Sequence, residues 1–331
     1  MEGTCNILNL QKEEGAMLRI VDLFSGIGAF HQAAKDTGLG HVVYACDIDQ
    51  AANLVYARNH HLDPDKRDLR QVKTLPPCDV VAAGFPCQDF SLIGKRQGLE
   101  GGDRGSLVFE VIRLLELAPP PVVIFENVER LATESDGESL RQIIAALERC
   151  GYLTHHKVLN ALDFGVPQMR RRLFLVGFQD ANAHAAFTWP APAPQEICSV
   201  AAFLDPPESI SPRHRASTPM RRKTQERGGE RARLLAEEAG EPTVWYTNKS
   251  SRVTVSRQVN TLRANPSYNY LLIDGERRPS ERELLRFQGF PDDFDLSDAK
   301  GYTASVRLIG NSIAVPVAAA VLRQVHECLS R

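Results

Sequence analysis

The run LRIVDLFSGIG at residues 18–28 constrains the fold most: a short apolar strand, Leu18 to Phe24, runs straight into the turn Ser25-Gly26-Ile27-Gly28. Helical periodicity then continues towards Gly38, so the unit reads strand, glycine turn, helix. The pattern recurs. His41 to Cys46 alternates like a half-buried strand and ends in Asp47-Ile48-Asp49, after which Gln50 to Asn59 is patterned as a helix. Further strands are predicted at 79–84 (DVVAAG), 121–125 (PVVIF) and 172–178 (RLFLVGF). Between the last two, Leu140, Ile143, Ile144 and Leu147 form one helical face that stops at Gly151. Such alternation predicts an α/β fold, with a largely parallel sheet covered by helices on both sides.

The texture changes after Trp189, where Pro190, Pro192 and Pro194 interrupt regular structure, and a domain boundary is expected near residue 185. A length of 331 residues accommodates about two domains. Between Arg213 and Arg233 eight Lys or Arg face only Glu226 and Glu230, a local charge of +6 inside a chain whose total is -2. Patterning returns at 280–287 and in a final helix, Ile313 to Leu329, whose Val317, Val321 and Val325 share a face suited to a core. Its longest apolar stretch, Ile313 to Leu322, contains Pro316 and is far short of the roughly 20 residues of a membrane span. Residues 1–17 lack the basic-then-apolar layout of a signal peptide, so a cytoplasmic address is expected. Seven cysteines without CxxC spacing predict neither a disulfide framework nor a metal site.

Four groups of residues could carry chemistry. Gly26 and Gly28 after the first strand, with Asp47 ending the second, suit a nucleoside whose ribose meets the acid, although such turns also occur without any ligand. The third glycine of a dinucleotide fingerprint is replaced by His31, which favours a ligand without pyrophosphate over NAD. Cys87 in Gly84-Phe85-Pro86-Cys87-Gln88 ends another strand; it reads either as a buried thiol or, beside the glycine-rich cationic segment 94–105, as an activated nucleophile. Glu126, at the end of PVVIF, reads as a used or paired carboxylate or as a helix cap. Alternation puts Arg170 and Arg172 on one face with Arg171 opposite, aimed at that rim or merely solvated.

The ordered blocks DLFSGIG (22–28), GFPCQDFS (84–91), ENV (126–128), QMRRRLFLVG (168–177), RELLRFQGFPDDF (282–294) and GNSIAVPVA (310–318) resemble the cytosine carbon-5 DNA methyltransferases of bacteria and phages. The resemblance implies a Rossmann-like, S-adenosylmethionine-dependent methyltransferase fold with a smaller target-recognition domain. Residues 1–185 and 300–331 would form the catalytic domain, and 186–299 the recognition domain and hinge. It implies S-adenosylmethionine at Phe24, Gly26, Ile27, Gly28, Asp47, Ile48, Asp68, Leu69, Pro86 and Asn311, without a metal. It makes Cys87, Glu126, Arg170 and Arg172 catalytic, and Ser91, Ile93, Arg104 and Thr261 contacts to a duplex from which the target cytosine is flipped. The expected enzyme is a monomeric DNA (cytosine-5-)-methyltransferase, orphan or part of a restriction-modification system and without a stable complex with any endonuclease. One departure is Arg278-Pro279-Ser280-Glu281, where the family usually has Leu-Thr or His-Pro; a tolerated structural variation is expected.

A tRNA cytosine methyltransferase on the same framework is the nearest rival, although its associated Cys-Phe-Thr tripeptide is absent. A nicotinamide-dependent oxidoreductase is disfavoured by the missing third glycine. A DNA-binding module without catalysis is disfavoured because every expected catalytic residue is present.

Overall fold

The computed structural model describes residues 17–86, 107–192, 199–237, 240–248, 250–264 and 271–330. The expected nucleophile Cys87 and the expected DNA contacts Ser91, Ile93 and Arg104 lie outside the described residues. The main sheet is built from β1 (Leu18–Leu23), β2 (Gly40–Cys46), β3 (Val80–Ala83), β4 (Val122–Val128), β5 (Leu153–Asn160) and, after the short β6 (Gln168–Met169), β7 (Arg171–Phe178). Their spatial order is β2-β1-β3-β4-β7-β5. The first four strands are parallel, whereas β7 lies antiparallel to both β4 and β5.

The sheet is therefore mixed where a largely parallel one was expected, and β5 was not anticipated. Its sequence, LTHHKVLN, lies on the sheet edge, where one side of the backbone has no partner strand and polar side chains are tolerated. The expectation of helices on both faces holds. Leu18 and Ile20 of β1 enter one apolar cluster while Val21 and Leu23 enter the other, as the two-residue period of a strand requires. α1 (Ala29–Thr37) and α2 (Gln50–His60) cover the first face; α3 (Leu107–Leu117) and α4 (Glu138–Arg149) cover the second.

After β7, α5 (Ala181–Ala186) leads into a region holding the 20-residue helix α6 (Thr218–Glu237), which takes up the basic window from Thr218 onward. A small antiparallel sheet of order β11-β8-β9 accompanies it, formed by β8 (Val244–Thr247), β9 (Val253–Ser256) and β11 (Leu271–Ile273). The two-residue β10 (Val259–Asn260) instead pairs with β6, which ties this region to the main body. The chain returns through α7 (Glu281–Phe287), α8 (Tyr302–Asn311) and α9 (Val315–Leu329). Ser280 opens α7 with a reciprocal capping box to Glu283, so the departure at 278–281 supplies a helix start.

By length and composition Tyr302–Leu329 could cross a membrane, but it is broken between α8 and α9. In its most apolar window 78% is buried inside the fold. Val317, Val321 and Val325 of α9 pack in the same cluster as α1, as the sequence predicts.

A stacked pair of histidines lies beneath the first turn. The His31 and His60 rings are 4.2 Å apart, His31 Nδ1 is 2.8 Å from the Tyr56 hydroxyl, and His60 Nε2 is 3.3 Å from the Ile27 carbonyl. Burial first, then neighbouring Lys35 and other histidines, lowers His31 to about 4 and His60 to about 3. Both rings are neutral in the fold and take up protons on unfolding below about pH 6.5. Their contribution is complete above that pH and is lost as pH falls towards the folded values, by about 1.4 kcal/mol per pH unit per histidine. Buried Asp22, whose carboxyl is raised by burial and by Asp47, opposes this trend. The expected result is a fall in Tm between pH 7 and 5 that is steeper in the native protein than in His31→Phe; equal slopes in thermal melts would contradict it.

Candidate active site

The carboxyl ends of β1 to β4 meet the amino end of the antiparallel β7 along one rim of the sheet, and the C-terminal end of α8 closes that rim. Between them lies a cleft of about 480 Å³ lined, among others, by Phe24, Asp47, Pro86, Glu126, Arg172 and Asn311. Such a crevice at the strand ends is where open α/β sheets bind ligands.

In the half under β1 and β2, Phe24 adopts a left-handed φ of 56° and Gly26 one of 54°. A Cβ on Gly26 would meet no atom within 4 Å, so this turn leaves open space on the cleft side. Asp47 accepts the Gly26 amide and the Asp49 amide, each at 2.8 Å, and burial raises its pKa against the lowering effect of those donors. The acid thus braces the turn as well as lining the cleft. Ile48 beside it is 64% exposed, an apolar side chain presented at a cleft wall. Asp68 caps a short helical turn and pairs with Arg70, while Leu69 is buried.

Two of the expected cofactor residues behave differently. The Ile27 side chain is 1% exposed and belongs to the core, because the turn points it beneath the sheet end. Gly28 begins α1 at a φ of 89°, and a Cβ there would lie 2.3 Å from His60 Nε2, so its lack of a side chain answers to packing. Neither residue lines the cleft.

In the half under β3 and β4, Glu126 sits within β4, buried, and does not cap a helix. Arg172 Nε lies 3.2 Å from Glu126 Oε1, yet that oxygen accepts no hydrogen bond. Burial raises the Glu126 pKa, and the charges of Arg172 and Arg170 oppose the rise. A carboxyl held this way, with unmet hydrogen-bonding capacity at a cleft wall, is suited to meeting a ring nitrogen and an amine.

Asn127 donates to the Phe85 carbonyl at 2.9 Å, fixing the turn that leads through Pro86 to residue 87. Arg171 faces away and pairs with Glu129, as alternation predicts, whereas Arg172 faces Glu126. Arg170 also lines the cleft, its charge acts on Glu126, and its guanidinium donates to the backbone carbonyls of Leu262, Gly310 and Ser312. Thr261 is bonded to the Met169 carbonyl at 2.7 Å and lies outside the cleft lining.

Sequence reading missed Asn127 as a brace, though it stands inside the ENV block. It also missed Arg307 of α8, which pairs with Asp49 at the cleft edge. With those partners 258 positions apart in the sequence, no local pattern could reveal that contact. Among the described residues no cluster of His, Cys, Asp or Glu could hold a metal.

The sequence profile of the C-5 cytosine-specific DNA methylases matches residues 18–327. Type II methyltransferase M.NgoBI of Neisseria gonorrhoeae is 35% identical over 303 residues, covering 91% of this chain and 90% of that protein. Type II methyltransferase M.HaeII of Haemophilus aegyptius is 33% identical, covering 92% and 91%. The fold is shared with the Schizosaccharomyces pombe Dnmt2 methyltransferase at a TM-score of 0.68 and 18% identity, covering 94% of this chain and 99% of that one. On the extent of the profile match and the coverage of these relatives, the chain belongs to the C-5 cytosine-specific DNA methylase family.

Proposed function

We propose that this protein is a DNA (cytosine-5-)-methyltransferase that methylates carbon 5 of a flipped-out cytosine in a specific duplex sequence through a covalent adduct with Cys87. The observation that carries the reading is the buried Glu126 beside Arg172 at the cleft wall, next to the Asn127-braced turn at Phe85-Pro86.

Cytosine carbon 5 is a weak nucleophile. In the proposed reaction the Cys87 thiolate adds to carbon 6 and the displaced electron pair moves into the ring, leaving an enamine-like system nucleophilic at carbon 5. Glu126 faces ring nitrogen 3 and the exocyclic amine and offsets the negative charge developing there; Arg172 holds the base carbonyl. Arg170 acts by fixing the backbone around that pocket. After methylation, loss of the carbon-5 proton and expulsion of Cys87 restore the aromatic ring.

S-adenosylmethionine fits the other half of the cleft and would supply an electrophilic methyl group on a sulfonium. The open space over Gly26, the exposed Ile48 and the buried Asp47 give it room, an apolar wall and an acceptor for the ribose hydroxyls, while Phe24, Asp68, Leu69, Pro86 and Asn311 complete the lining. We assign target recognition and the hinge to residues 186–299, with duplex DNA meeting the basic window and Thr261. The relatives named as Type II methyltransferases support DNA over tRNA and are consistent with a restriction-modification role.

Transfer of labelled methyl from S-adenosylmethionine to duplex DNA and to tRNA tests this reading. Label in duplex, recovered as 5-methylcytosine on hydrolysis, is expected; label in tRNA alone would overturn the DNA assignment.

A further inference from the structure

The buried polar groups between the cleft and the small-sheet region are arranged as a brace. Gln168 and Gln288 are completely buried and Arg170 nearly so, and burial on this scale is costly unless each group is bonded. Gln168 Oε1 accepts the Leu262 amide at 2.9 Å, and its Nε2 donates to the Phe287 carbonyl at 2.8 Å and to Gln288 Oε1 at 3.2 Å. Gln288 Nε2 in turn donates to the carbonyls of Ile309 at 2.9 Å and Ser312 at 3.3 Å. Arg170 spans the same gap, from Leu262 at 3.0 Å to Gly310 at 3.2 Å and Ser312 at 2.6 Å.

Backbone contacts reinforce these side chains. The Val259 amide donates to the Pro167 carbonyl at 2.7 Å, beside the β10–β6 pairing. A Cβ on Gly310 would lie 2.4 Å from the Arg263 carbonyl carbon, so segment 259–264 rests directly on the Gly310-Asn311 corner of the cleft.

We infer that this brace makes segment 259–264 and the 308–312 corner one mechanical unit, with Gln168 and Gln288 as positioning residues through which the cofactor half of the cleft and the DNA-reading region are energetically coupled. The inference rests on the proposed function of those two regions. A ligand that orders one end of a shared, buried hydrogen-bonded network lowers the entropic cost of ordering the other, and the effect is reciprocal. Neither amide lines the cleft. Their loss weakens the dependence of one affinity on the other.

Two measurements test the inference. In the native protein, S-adenosylhomocysteine added without DNA should slow hydrogen exchange in peptides covering Leu262. The affinity for S-adenosylhomocysteine is then measured with and without a duplex that the native enzyme methylates, its site first located by bisulfite sequencing. The expected native coupling is at least about five-fold, and in Gln288→Met it should fall towards about one-fold. A merely structural glutamine would lower Tm and leave that ratio unchanged, which would overturn the inference. So would native coupling of about one-fold, or exchange at Leu262 that ignores bound ligand. If Gln288→Met does not fold, the exchange result decides alone. Failure of the native enzyme to methylate any duplex would refute the proposed function and is recognised at the bisulfite step.

Discussion

Glu126→Gln is expected to lower kcat by about 10²–10⁴ while the protein remains folded. The amide matches the carboxyl in shape but cannot gain or release a proton, so it cannot balance charge developing at ring nitrogen 3. Two opposing terms keep the change in stability small. The variant loses the ion-pair contact with Arg172, and it also removes a buried carboxyl whose desolvation is the leading cause of its raised pKa. The pH profile adds a second signature. Because burial raises the Glu126 pKa, its protonated form persists above the ordinary carboxylate range, and activity that uses that proton declines as pH rises through the raised value. That alkaline limb belongs to the native enzyme and should vanish from the glutamine variant. A Glu126→Gln enzyme with native kcat and an unchanged profile would remove Glu126 from the chemistry.

Gly28→Ala is expected to be the most damaging small substitution in the first turn. A left-handed backbone costs an ordinary residue about 1–2 kcal/mol, and overpacking a filled site adds about 1–3 kcal/mol. Here the new methyl would meet the His60 ring at 2.3 Å and Tyr56 Cε2 at 2.9 Å. His60 cannot easily swing aside, since it is stacked on His31 and packed edge-on to Tyr56 and Phe294. Together these imply a loss of about 2–5 kcal/mol, a large share of the roughly 5–15 kcal/mol that holds a typical domain. Gly26→Ala bears the backbone term without the collision, and its methyl enters open space at the cleft. It should lose less Tm and proportionally more affinity for S-adenosylhomocysteine. Equal Tm losses in the two variants would contradict this division of roles.

That contrast also shows what was legible in the sequence. Both glycines suggested a ligand turn, because a GxG spacing reports the left-handed backbone and not what lies over it. Only the packed position of His60, 32 residues beyond Gly28, distinguishes the two. The apolar strands β1, β3, β4 and β7 were readable because they are largely buried on both faces, and burial leaves a hydrophobic signature; the half-buried β2 was readable by its alternation. Polar β5 on the sheet edge left none, and without it the reversal of β7 was invisible. The opposite facing of Arg171 and Arg172 followed from strand periodicity. The grip of Arg170 on Leu262, Gly310 and Ser312 did not, since it depends on where two distant segments return to the sheet.

The charge balance is equally local. The basic window folds largely into α6, but part of it is neutralised within the protein, with Arg213 paired to Glu281 and Arg221 to Glu276. A sum of +6 therefore overstates what this segment can offer to phosphate.

The central claim is a covalent bond between Cys87 and cytosine carbon 6, and it can be trapped. In duplex containing 5-fluorocytosine at the methylated position, fluorine replaces the proton that must leave carbon 5, so the adduct cannot resolve. With S-adenosylmethionine present, the native enzyme should give a protein–DNA species that survives a denaturing gel, and Cys87→Ser should give none. No adduct with the native enzyme on a duplex it methylates, or an undiminished adduct with Cys87→Ser, would contradict the account.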